Sequence, residues 1–159
     1  MKRLFSVMIC LFVLAAGGTL AWGAVAKEGD WEVTMVNTMQ GMPFQMPPQT
    51  YKSTQCVTQD DMAPVDKSRK DCIVKDQQIV GNTVSWTVVC DDQNSRMEGT
   101  GKITYTGNTY NGTINTTMTD KKDRSGTMKM LTKLDGRYIG PCSAATKAEA
   151  ERRKAAAKK

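Results

Sequence analysis

From Trp31 onward the chain keeps changing sides, because short runs rich in Thr, Val, Ile and Tyr alternate apolar with polar residues almost to Pro141. A period of two belongs to half-buried strands and does not fit the wider spacing of an amphipathic helix. Strands are predicted over residues 31–38, 50–57, 72–80, 83–90, 97–106, 109–118, 127–134 and a short 137–140. Gly81-Asn82, Gly107-Asn108 and Asp135-Gly136 tolerate the positive φ that two-residue hairpin loops require, so each is read as a tight turn. Sequential hairpins predict an all-β fold: an antiparallel meander of seven to eight strands, open or closed like a barrel, ending in a short helical C-terminal tail.

Two stretches break the pattern. Residues 39–48 hold Pro43, Pro47, Pro48 and Gly41 and are read as a loop, since proline cannot donate to a ladder. Residues 58–71 form a second connection. Beyond Cys142 the composition turns to Ala, Lys, Arg and Glu, which favours helix but offers only Ala as an apolar face, so a solvated, fraying tail is expected over 143–159.

The N-terminus has the three parts of a cleavable secretory signal. Lys2 and Arg3 precede an apolar run from Leu4 to Trp22, and Ala24-Val25-Ala26 supplies the small residues of a cleavage site. Cleavage after Ala26 leaves residues 27–142 as one β domain, followed by the basic tail. Cys10 sits inside the apolar run and not at a cleavage box, which argues against a lipid anchor and, with cleavage, against stable membrane insertion. The expected location is the periplasm or the exterior.

Export gives the remaining cysteines a meaning. Cys56, Cys72, Cys90 and Cys142 are even in number and include no Cys-x-x-Cys pair, so two structural disulfides are expected. A hairpin centred on Gly81 sets Cys72 opposite Cys90 and leaves Cys56 for Cys142. A strict two-residue Gly81-Asn82 turn moves the register by one, turns Cys72 to the other face and favours another pairing. The first pairing is adopted here.

The net charge of +6 does not describe the folded body. Lys2 and Arg3 account for part of it and residues 147–159 for the rest, so the domain between is neutral, which disfavours nucleic-acid binding. The chain has no histidine, hence neither the commonest general base nor the commonest metal ligand. Nucleophile elbow, Ser-x-x-Lys pair, P-loop and dinucleotide fingerprint are absent from the sequence too. Asp60-Asp61 and Asp91-Asp92 fall where turns are expected, and Asp120, Asp123 and Gly126 lack calcium-ligand spacing. No enzyme, no cofactor and no metal centre is expected on these grounds.

One loop is chemically suggestive. Met39, Met42, Phe44 and Met46 surround Gly41 and Pro43, with Met35 upstream. Methionine is an adaptable hydrophobe that suits a promiscuous binding surface, and closely spaced thioethers are also Cu(I) ligands. Trp31, Trp86, Tyr105 and Tyr110 occupy inward-compatible strand positions and are assigned to the core.

Three segments then carry a family resemblance: Gly41-Met42-Pro43-Phe44-Gln45-Met46-Pro47-Pro48-Gln49-Thr50 leading to Gln55-Cys56, Gly81-Asn82-Thr83-Val84-Ser85-Trp86 leading to Cys90, and Gly136-Arg137-Tyr138-Ile139-Gly140-Pro141-Cys142. In that order, with all four cysteines, the chain resembles a bacterial group of small exported proteins, the domain-of-unknown-function family numbered 3617. The resemblance implies a signal peptide, a β-rich domain and an uncharacterised periplasmic role, and transfers no catalytic residue. The functional expectation is a non-enzymatic binding or accessory module whose partner is an apolar small molecule or a periplasmic protein. A Cu(I) protein using the methionine loop is the alternative.

Overall fold

A computed structural model of the protein describes residues 25–41, 46–63, 65, 70–123 and 127–157; the expected export signal lies outside these apart from its last two residues. The strands are β1 (Gly29–Gln40), β2 (Gln49–Val57), β3 (Cys72–Val80), β4 (Thr83–Asp91), β5 (Ser95–Thr106), β6 (Thr109–Asp120) and β7 (Thr127–Gly140), followed by one helix, α1 (Ala144–Ala157). They form a single antiparallel sheet of order β2-β1-β7-β6-β5-β4-β3. The sheet is open: β2 and β3 are its two edges, so the barrel-like meander does not close into a barrel.

A lone sheet needs something to cover its apolar face. Here described residues of the 58–71 connection, Met62, Ala63 and Val65, do so; the connection joins β2 and β3, which are neighbours in sequence and opposite edges of the sheet. Its Met62 and Ala63 are buried against Trp31, Val33, Val84, Trp86, Ile103, Tyr105, Tyr110 and Leu134. The Tyr105 hydroxyl donates to the Met62 carbonyl at 3.1 Å and pins the crossing. The sheet also curls toward this inner face. Trp31 on β1 and Tyr105 on β5 are three strand spacings apart, about 14 Å along a flat sheet, yet their ring centroids are 5.7 Å apart.

Glycine lets the rings lie down. Trp86 faces Gly101 across β4 and β5, and Tyr110 faces Gly136 across β6 and β7; at either glycine a Cβ would overlap the ring. This corrects the expected Asp135-Gly136 turn. Gly136 does not take a positive φ, and the two predicted strands around it are one continuous β7, because its role is to seat Tyr110. Gly81 and Gly107, by contrast, do turn hairpins, with φ of 59° and 62°.

The register that controls the cysteines combines both readings of the Gly81-Asn82 hairpin. The turn is a strict two-residue loop, with Val80 opposite Thr83 and Ile79 opposite Val84. Between Lys75 and Gln78 the register then shifts by one, with Asp76 at φ 52°, a β-bulge that puts two residues of β3 against one of β4. Below the bulge Val74 faces Val88 and Cys72 faces Cys90. The disulfides join Cys72 to Cys90 and Cys56 to Cys142.

The C-terminal segment is helical, as its composition favours, but its first turn is anchored and not fraying. Ala150 is buried against the β2 side, Cys142 is held by its disulfide, and Ser143 caps the helix by accepting from the Thr146 backbone at 3.3 Å. The helix has no acidic residue in its first turn; Asp30 on β1 takes that place, accepting from Ser143 N at 3.0 Å and from the Thr146 hydroxyl at 2.6 Å. Burial opposes the charged form of Asp30, but the bonds from Thr146 and Ser143, with Lys147 nearby, outweigh it and hold this carboxyl below its usual value. A depressed folded pKa means a stabilisation that is present above about pH 4 and lost as pH falls through the folded value. Asp30→Asn is therefore expected to weaken the domain by about 1 kcal/mol at neutral pH, and to remove the acid-side loss of helicity expected of the parent. Far-ultraviolet circular dichroism across an acid titration checks both; equal acid profiles in parent and variant would refute the assignment.

Candidate functional site

Directly opposed residues form rows across the inner face, and the rows differ in chemistry. At one end the rings of Tyr105, Tyr110 and Tyr138 surround Trp31, with centroids 5.7, 5.3 and 5.7 Å away. At the other end the aromatics give way to sulfur. One row runs Val88, Gly99, Thr116, Met130, Met39 across β4, β5, β6, β7 and β1, and the next runs Cys72, Cys90, Met97, Met118, Met128 across β3 to β7. No position in these two rows carries a charge.

Met62 and Ala63 pack on the aromatic end, whereas methionines at this end are in part exposed. Met118 is 41% exposed and Met128 37%, while Met39, Met97 and Met130 are half-buried. Solvent-facing methionine on the apolar side of a sheet has no core to fill, and its flexible thioether conforms to whatever lies against it. The methionine loop departs from the same place: Gly41, at φ 87°, stands beside the Thr127 carbonyl, at the start of the strand bearing Met128.

The sequence-predicted loop residues are thus divided. Met39 belongs to β1 and faces Met130 on β7; Met46 is half-buried in the loop; Met42 and Phe44 lie outside the described residues. Met97, Met118, Met128 and Met130 are functional candidates that sequence reasoning missed. Met97 and Met118 each sit alone on a strand and Met128 and Met130 share β7, so the group is scattered over three strands and no compact motif announces it, yet a parity signal existed. Met97 is in phase with Ile103 and Tyr105, Met118 with Tyr110 and Ile114, and Met128 and Met130 with Leu134.

Polar chemistry on the described residues is mostly spoken for. Asp91 pairs with Arg96 at 3.3 Å and with Lys121, and the Lys121 bond leads the causes that hold its carboxyl down against burial. Asp92 accepts from the backbone of Asn94 and Ser95 as a turn residue does. Burial first, and Asp61 second, push the Tyr105 phenol up to about 12, and burial also drives Tyr110 upward, so both stay neutral far above physiological pH. Asp30, Cys56 and Cys142 offer donor atoms within 4.8 Å of one another, but both sulfurs are spent in their disulfide and supply no thiolate. A cavity of about 410 Å³ beside α1 is rimmed by Glu28, Lys147, Glu151 and Lys154, an alternating charged surface without a focal group. Among the described residues, Thr58 Oγ1, Arg153 Nε and the indole Nε1 of Trp86 are buried donors with no hydrogen-bond partner, and of these Trp86, 2% exposed, is the one on the inner face of the sheet.

The family model described as a protein of unknown function, DUF3617, matches residues 26–142, from the start of the β domain to its last cysteine. No curated protein and no solved structure matches the chain.

Proposed function

The chain belongs to the DUF3617 family, and from that premise we propose that it is an exported, non-enzymatic binding module whose methionine-lined inner face holds the apolar body of a small amphipathic molecule. The observation that carries this reading is the gathering of Met39, Met97, Met118, Met128 and Met130 in two uncharged rows at one partly exposed end of the sheet. Mobile thioethers on a fixed scaffold suit ligands of variable shape, and a partly exposed face leaves room for a polar head in water. The unpaired indole N–H of Trp86, two rows from Met97 on the same face, supports a ligand that brings a hydrogen-bond acceptor. Export is supported by the signal-like N-terminus and by two disulfides, which persist in oxidising compartments.

The test uses the neutral dye N-phenyl-1-naphthylamine as the apolar probe. Met118→Ser with Met128→Ser is expected to weaken its binding roughly 10-fold or more, about 1.4 kcal/mol. Unchanged dye affinity in a variant with the parent's circular dichroism would remove this face from the proposal. For a Cu(I) site in the loop, Met39 is a strand residue of β1 paired with Met130 of β7.

A further inference from the structure

We propose that the inner row one step in from the Ser95–Asp120 pair is a Cu(I) site whose ligands are the thioethers of Met97, Met118 and Met128. It stands independently of the apolar-ligand reading, because it depends on sulfur as a donor and not on hydrophobic area. Met97 faces Met118 across β5 and β6, and Met118 faces Met128 across β6 and β7. The three Cα atoms therefore lie in line at strand spacing, the outer two about 10 Å apart. Each thioether hangs on three rotatable bonds, and the sheet curls toward the face they share, as the 5.7 Å approach of Trp31 to Tyr105 shows for the other end. The outer pair need lean only toward the middle one for three sulfurs to meet around a single ion.

The donor set selects the metal. Neutral thioethers are soft ligands that favour Cu(I) over Zn(II) or harder cations, which demand imidazole, thiolate or carboxylate. The chain contains no histidine, and the row's remaining sulfurs, Cys72 and Cys90, are joined to each other. With Met118 and Met128 more than a third exposed, an incoming ion reaches the row without any rearrangement of the core. Met130 and Met39 stand one row inward, within a step of the site for transfer or for a fourth ligand. No electron is transferred in this step: Cu(I) exchanges solvent or a carrier's ligands for three thioethers.

The experiment is an anaerobic titration of the full chain with Cu(I) against a chromogenic Cu(I) chelator. It is done in a Cys10→Ser background so that no free thiol contributes. One Cu(I) per chain is expected, with an affinity that falls at least 10-fold in Met97→Leu/Met118→Leu/Met128→Leu and is unchanged in Met42→Leu/Met46→Leu. Leucine keeps volume and apolarity, so the triple variant should retain dye binding, which separates failure here from failure of the proposal above. In the unsubstituted protein, Ag(I), a redox-inert surrogate, is expected to shift the methyl resonances of Met97, Met118 and Met128 and to leave that of buried Met62 in place. Retained affinity in the triple leucine variant, or Ag(I) shifts confined to other methionines, overturns the assignment.

Discussion

Trp31→Ala is expected to cost the domain about 5 kcal/mol, the upper end of what removing a buried tryptophan costs. Three features put it there. Trp31 is fully buried, it touches three tyrosine rings at once, and its indole donates to the Lys27 carbonyl at 2.9 Å. Ring pairs of this kind add roughly 0.5–1.5 kcal/mol each beyond the area they bury. The loss also spreads: Tyr105 leans on Trp31 and at the same time holds the 58–71 crossing through Met62. Without the tryptophan, the segment that covers the sheet loses its footing. Urea unfolding read by circular dichroism measures the change, and a loss under about 2 kcal/mol would mean that the aromatic end is not the core. The contrast with the other end is part of the expectation. Met118→Ser, at a half-open position, should alter stability by no more than about 0.5 kcal/mol.

Much of this architecture was legible in the sequence because strand periodicity and turn chemistry are local. The alternation in β4, with Val84, Trp86, Val88 and Cys90 in phase, states its buried face outright, and Gly-Asn pairs name two of the hairpins. What stayed illegible depends on partners far away in the chain. Gly136 looks like half of a turn until Tyr110, on another strand, needs a place for its ring. The bulge at Asp76 carries no proline or glycine to announce it, yet it decides which face Cys72 occupies. The pairing of β1 with β7, and with it the open order of the sheet, joins strands nearly a hundred residues apart. The methionine face is the clearest case. The loop was visible because Met39, Met42 and Met46 are close in sequence, whereas Met97, Met118 and Met128 become neighbours only when three strands are laid side by side in register.

That register also ranks the two disulfides. In the chain-entropy account a cross-link stabilises by the freedom it removes from the unfolded chain, which grows with the loop it closes. Cys56 and Cys142 are separated by 86 residues, which corresponds to about 4–5 kcal/mol. Cys72 and Cys90, separated by 18, correspond to about 3 kcal/mol. Native geometry points the same way. Cys56 lies near the end of edge strand β2, which has one hydrogen-bonded neighbour and is largely exposed, while Cys142 is at the root of α1. Replacing both residues of this pair by serine should therefore lower stability by about 4 kcal/mol, more than the same replacement of Cys72 and Cys90. It should also leave β2 free to peel away and present an unpaired edge, so aggregation on refolding is expected of this variant before the other. Urea midpoints of the two double-serine variants decide the order, and the reverse ranking would defeat the account. Because a domain of this size has roughly 5–15 kcal/mol of stability in all, the long-loop bond alone spans a large part of the margin. Protein made where thiols stay reduced should then be marginal or unfolded.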